Sequence, residues 1–126
     1  MTVLGIGIDV VETKRLARAL SARGRAFEKR VFTPGELVHC ANRRDRTQAL
    51  AARFAAKEAC LKALCAGILE GVSLQQAEIV SGDTGAPQLR LTGTLAERAQ
   101  VRGVRSIHVS LTHEREVAAA VVVLEG

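Results

Sequence analysis

Aromatic side chains are nearly absent from this chain of 126 residues, which has three Phe and neither Trp nor Tyr. The absence removes the ring platforms on which nucleic-acid binders stack bases. It leaves Val, Ile, Leu and Ala to build the core. Cysteine is also sparse. Cys40, Cys60 and Cys65 are too few and too irregularly spaced for a disulfide framework or a zinc knuckle. A reducing, cytoplasmic location fits, with Cys60 and Cys65 read as small core residues of an apolar helix. No basic segment leads into a long apolar run, so no signal peptide is expected. The apolar stretch Val117 to Leu124 is too short to span a membrane. Gly5-Ile6-Gly7 lacks the third glycine of a dinucleotide fingerprint, and no Walker loop occurs. Neither repeat, low-complexity tract nor linker divides the chain, so residues 1–126 are expected to form a single domain. Such a domain buries roughly two-thirds of its extended surface.

What is present is apolar and basic. An apolar content of 48% excludes disorder. A net charge of +5 favours an anionic partner: nucleic acid, a phosphorylated ligand or an acidic protein.

The stretch Gln48 to Cys65 organises the rest. It has no Gly, Pro or β-branched residue and reads as one long helix. Leu50, Phe54, Leu61 and Cys65 make a bulky stripe. Ala52, Ala56, Ala59 and Ala63 make a small-residue surface for close packing. Arg53, Lys57, Glu58 and Lys62 put charge into this core-like helix. Ahead of it, Val3 to Val11 reads as a buried strand, with Leu4, Ile6, Ile8 and Val10 on one face. Val3, Gly5, Gly7 and Asp9 share the other, where glycines admit a neighbouring backbone. Thr13 to Ala22 is a predicted short helix ended by Gly24, followed by a basic connector, Arg25 to Arg30. Thr33-Pro34-Gly35-Glu36 is a helix start, with Thr33 as N-cap and Glu36 in the capping-box place, and Asn42 to Arg46 is a charged loop. Gly67 and Gly71, flanking Ile68-Leu69-Glu70, break the long helix. Strands at Ala77–Val80 and Pro87–Leu91 are joined through the turn Gly82-Asp83-Thr84-Gly85. A helix is predicted over Thr94–Val101. Val104–Thr112 and Val117–Leu124 form a second hairpin around His113–Glu116, with His108, Ser110 and Thr112 on one face of its first strand.

Asp9 and Glu58 come from two separate apolar elements, where carboxylates are costly unless paired or metal-bound. Converging, they offer hard oxygen ligands suited to Mg²⁺ with phosphate substrates. Arg53, Lys57, Lys62 and the loop residues Arg43, Arg44 and Arg46 are candidate phosphate partners. His108 and His113 are candidate phosphate donors or proton-transfer groups. No spacing fixes a covalent nucleophile. The residues alone describe a small basic α/β protein acting with Mg²⁺ on a phosphorylated substrate. A non-enzymatic nucleic-acid-binding module stays open on charge.

Three blocks resemble a known family: GIGIDVVETKRL (Gly5 to Leu16), RFAAKEACLKAL (Arg53 to Leu64) and HVSLTHEREVAAAVVV (His108 to Val123). FTPGE at Phe32–Glu36 and the GVS of Gly71–Ser73 also match. The chain is similar to the holo-[acyl-carrier-protein] synthases, the small bacterial-type 4'-phosphopantetheinyl transferases. The resemblance implies an α+β fold with an antiparallel sheet packed on a long helix, assembled as a homotrimer with sites between subunits. It implies Mg²⁺-dependent transfer of 4'-phosphopantetheine from coenzyme A to a serine of an acidic acyl carrier protein, a step of fatty-acid and lipid biosynthesis, releasing adenosine 3',5'-bisphosphate. Asp9 and Glu58 match the metal-holding and catalytic acids, and Lys62 matches a lysine near the transferring phosphoryl. Arg53 and His113, with Thr112 beside it, match positions that hold coenzyme A. Lys14 and Arg15 of the early helix would meet the carrier. Two departures stand out. Cys65-Ala66-Gly67 replaces a usual GTG turn, and Thr112 replaces a Ser. A carrier-binding protein that has lost transfer is the rival reading, and intact Asp9, Glu58 and Lys62 oppose it.

Overall fold

The computed structural model describes residues 1–67 and 71–126. The reading of Ile68-Leu69-Glu70 as part of the helix break therefore lies outside the described residues. Five strands and four helices follow in the order β1 (Val3–Glu12), α1 (Thr13–Val31), α2 (Pro34–Ala41), α3 (Arg46–Ala63), a 3₁₀ turn (Leu74–Gln76), β2 (Ala77–Ser81), β3 (Pro87–Leu91), α4 (Gly93–Val101), β4 (Ser106–His113) and β5 (Val117–Glu125). One antiparallel sheet has the order β1-β5-β4, and β2 and β3 pair as a separate antiparallel hairpin. This is the expected α+β arrangement, with the larger sheet lying on α3.

Helix α3 is buried almost all round, as a helix apolar on every side must be. One hydrophobic cluster joins Ala55, Ala59, Cys60 and Leu64 to Val122 and Leu124 of β5, to β2 and to α4. A second joins Leu50, Ala51 and Ala52 to Leu16, Phe32 and Cys40. The alanine surface of α3 lies inside the protomer, consistent with internal packing, and offers nothing to a neighbouring subunit. Two glycines set the approach of β1. A Cβ on Gly7 would overlap the Ala59 carbonyl oxygen, and a Cβ on Gly5 would overlap that of Ala63.

Several boundaries differ from expectation for local reasons. Helix α1 runs on to Val31, because Gly24 absorbs a kink (φ 57°, ψ −142°) and the connector after it is helical. Helix α3 begins two residues early, since the Asp45 carboxylate accepts the Gln48 N–H at 3.0 Å as N-cap. It ends at Ala63. There the Ala66 N–H donates to the Leu61 carbonyl and the Cys65 N–H to that of Lys62, a Schellman closure. Cys65 takes the left-handed position with φ 53°, the only non-glycine to do so among the described residues. It is exposed, so its reading as a core residue fails, whereas Cys60 is fully buried and burial pushes its thiol up to about 12.

The predicted burial of β1 holds for one face only. Gly5, Gly7 and Asp9 face α3, but Ile6, Ile8 and Val10 are each more than 60% exposed. Cross-strand register sets them beside Val123, Val121 and Ala119 of β5, and beyond these lie His108, Ser110 and Thr112 of β4. The sheet thus has one covered face and one open face with an apolar stripe. No helix among the described residues is long and apolar enough to cross a membrane.

Candidate active site

Close contact of β1 with α3 delivers Asp9 to the helix. Two residues beyond Gly7, its half-buried carboxylate meets Lys62, whose ammonium lies 3.0 Å from Asp9 Oδ1 and donates also to the Ile8 carbonyl at 3.0 Å. Glu58, one turn before Lys62 on the same helix face, lines with Asp9 a cleft of about 380 Å³. Phe27, Phe54 and Leu16 form its apolar wall, and Glu12 and Arg15 stand at the junction of β1 and α1. Burial and the neighbouring Asp9 charge push the Glu58 carboxyl above its ordinary value, with Lys62 pulling the other way. The three residues singled out for catalysis therefore converge. Among the described residues no cluster of three or more metal-ligating side chains forms; this acidic pair supplies two hard oxygen donors.

Arg53 and His113 lie elsewhere. Glu58 is five positions after Arg53, about 140° around the helix axis. Arg53, His113 and Arg43 line a second depression of about 230 Å³, together with Ser81 and Leu111. Arg53 as a residue is only 8% exposed. It donates to the Ala49 carbonyl at 3.2 Å, and among the described residues its Nε has no partner. Of the loop arginines, Arg46 is held by Glu28 at 2.5 Å, while Arg43 reaches His39 Nε2 at 2.9 Å. Thr112 is exposed on the open sheet face, and His108 there pairs with Glu125 at 2.6 Å.

Lys57 has a structural place. Its fully buried ammonium sits 2.7 Å from Glu36 and donates to the carbonyls of Leu74 and Ala77 at 3.1 and 2.8 Å. Glu36 accepts in turn from the N–H groups of Thr33 and Ile79. The node ties α2, α3 and β2 together.

The 4'-phosphopantetheinyl transferase superfamily matches residues 5–122. The holo-[acyl-carrier-protein] synthase of Maridesulfovibrio salexigens is 45% identical over 123 residues, covering 98% of each chain. That of Anaeromyxobacter dehalogenans is 48% identical over 127 residues, covering 98% of this chain and 97% of its own. Among solved structures, the holo-[acyl-carrier-protein] synthase of Neisseria meningitidis superposes with a TM-score of 0.90 at 34% identity, covering 99% of this chain and 100% of that one. The Helicobacter pylori enzyme in complex with coenzyme A gives 0.83 at 32% identity, covering 95% and 99%. The match takes in both the strand that carries Asp9 and the helix that carries Glu58 and Lys62, and the chain belongs to the 4'-phosphopantetheinyl transferase superfamily.

Proposed function

We propose that this protein is a holo-[acyl-carrier-protein] synthase that moves the 4'-phosphopantetheine group of coenzyme A onto a serine hydroxyl of an apo acyl carrier protein. The carrying observation is the convergence of Asp9 and Glu58 on one cleft, with Lys62 paired to Asp9, in a family member. Asp9 and Glu58 fit a divalent cation. They are oxygen donors from two elements, and the charge that each imposes on the other is what a cation between them relieves. When bound, Mg²⁺ supplies neutralisation of the pyrophosphate charge. Lys62, half-exposed on its aliphatic stem, can release Ile8 and turn its ammonium to the phosphoryl oxygens. Phosphoryl transfer needs this positioning and charge compensation more than covalent help.

Arg53 and His113 bind coenzyme A phosphates in this reading, and the Arg53 Nε, without a partner among the described residues, supports an anion there. Their separation from Glu58 around α3 fits a site completed by a neighbouring copy. The open stripe of Ile6, Ile8, Val10 and Val121 supplies the surface for a homotrimer. Exposed Lys14, Arg15, Arg18, Arg23 and Arg25 on α1 steer an acidic carrier to the cleft mouth. The enzyme acts as a single domain in the cytoplasm. Incubation with coenzyme A, Mg²⁺ and apo carrier, read by carrier mass, tests the assignment. A gain of one phosphopantetheine is expected, and no gain on several carriers would refute it.

A further inference from the structure

The second depression takes one of its cations from a loop. Arg43 lines it together with Arg53 and His113. It stands in the short connection between α2 and α3, where its backbone N–H donates to the Cys40 carbonyl at 3.1 Å. Its side chain is exposed, and a long cation on a short loop has many rotamers open to it. Among the described residues the guanidinium has one partner: Nη2 lies 2.9 Å from Nε2 of His39. His39 sits four residues earlier, in the last turn of α2. That helix is anchored by its capping box and by the Glu36–Lys57 pair, so the imidazole stands on a fixed support.

The contact also sets the state of the ring. An arginine only donates, so Nε2 must accept, and the imidazole is neutral with its proton on Nδ1. The surroundings agree. Partial desolvation, then the positive charges of Arg53 on α3 and of Arg43, hold His39 below the ordinary histidine value. The acids on neighbouring elements are spent elsewhere: Glu36 of α2 on Lys57, and Glu78 of β2 on Thr33 and Arg90.

We propose that His39 is a positioning residue for coenzyme A: it accepts from Arg43 and holds that guanidinium over the depression lined by Arg53 and His113. The inference rests on reading this depression as the place where a coenzyme A phosphate binds. A cation already oriented loses less rotamer freedom when the anion arrives, so the effect falls on binding and not on the transfer step. A proton on Nε2 turns the acceptor into a donor and sets two cations side by side. Acid therefore releases Arg43 and weakens the hold on the anion.

The test measures kcat and the KM values for coenzyme A and for an apo acyl carrier protein, with Mg²⁺ present, together with the coenzyme A Kd by calorimetry. It compares wild type, His39→Ala, His39→Gln, Arg43→Ala and the His39→Ala, Arg43→Ala double variant. His39→Ala should raise the KM and Kd for coenzyme A about three- to tenfold, with kcat and the carrier KM unchanged. The double variant should be no worse than Arg43→Ala alone, because His39 acts only through Arg43. Glutamine keeps a carbonyl acceptor and does not titrate, so His39→Gln should lie nearer wild type at neutral pH. The ratio of wild-type to His39→Gln KM should then climb as pH falls through the histidine range, a comparison in which ionisation of His113 and of the phosphates cancels. A rise below about threefold in His39→Ala, additive effects of the two single variants, or a pH-independent ratio overturns the proposal and leaves the transferase reading intact. A wild type that neither transfers nor binds coenzyme A overturns both.

Discussion

Lys57→Met isolates the buried ion pair from the chemistry next door. Methionine fills most of the lysine's volume, so the change removes charge more than packing. It deprives the Leu74 and Ala77 carbonyls of their donor and strands the Glu36 carboxylate at 0% side-chain exposure. Breaking a buried pair from one side costs about 3–5 kcal/mol. Unfolding free energies of ordinary domains are about 5–15 kcal/mol, so this is a large share. For a chain of this size it corresponds to a fall of roughly 10–20 °C in Tm. Urea unfolding at fixed protomer concentration reads it directly. The Glu36→Gln, Lys57→Met double variant carries no stranded charge. It should be less destabilised than the sum of the two single variants by about 1–3 kcal/mol. A Lys57→Met loss under about 1 kcal/mol, or strict additivity in the cycle, would refute the node as described.

Three further outcomes follow from particular residues. Cys65→Gly removes the cost of a side chain at φ 53° and, after the larger unfolded-state entropy of glycine, should raise stability by roughly 0.5–1 kcal/mol in the same unfolding assay. The Glu58 carboxyl is raised first by burial and then by Asp9, so Asp9→Asn should lower its midpoint in a ¹³C NMR titration of the metal-free protein; an unchanged midpoint would separate the two acids. In wild type the raised value means that Glu58 still binds a proton at pH values where an ordinary glutamate has lost it, so Mg²⁺ affinity should climb with pH across that window. A site shared between copies predicts that Asp9→Ala and Arg53→Ala, each inactive alone, regain partial activity when co-assembled, and that Ile8→Lys sediments as a monomer; failure of complementation would place the whole site in one protomer.

The sequence made the organising helix, both hairpins and the Thr33–Glu36 capping box legible, because each rests on local chemistry: helix propensity, a glycine-rich turn, a cap. It also exposed the close approach of β1, since Gly5 and Gly7 beside Asp9 suit a neighbouring backbone. Other features depend on what lies across space. The apolar face of Ile6, Ile8 and Val10 has the pattern of a buried strand, and only the sheet order shows that it stays open among the described residues. Lys57 and Lys62 look alike in sequence. One points into the Glu36 node and the other at Asp9, a difference set by the positions of α2 and β1 around α3. The placing of Arg53 and His113 away from Glu58 was likewise invisible, because helix periodicity puts Arg53 on another side without saying what it meets there.

The most direct measurement is the mass of an apo acyl carrier protein after incubation with coenzyme A and this enzyme, with and without Mg²⁺, for wild type, Asp9→Ala and Glu58→Ala. One added phosphopantetheine per carrier is expected for wild type with Mg²⁺ alone. No addition is expected without the metal or in either variant. Full transfer by Asp9→Ala or Glu58→Ala would contradict the claim that these two carboxylates form the reactive centre.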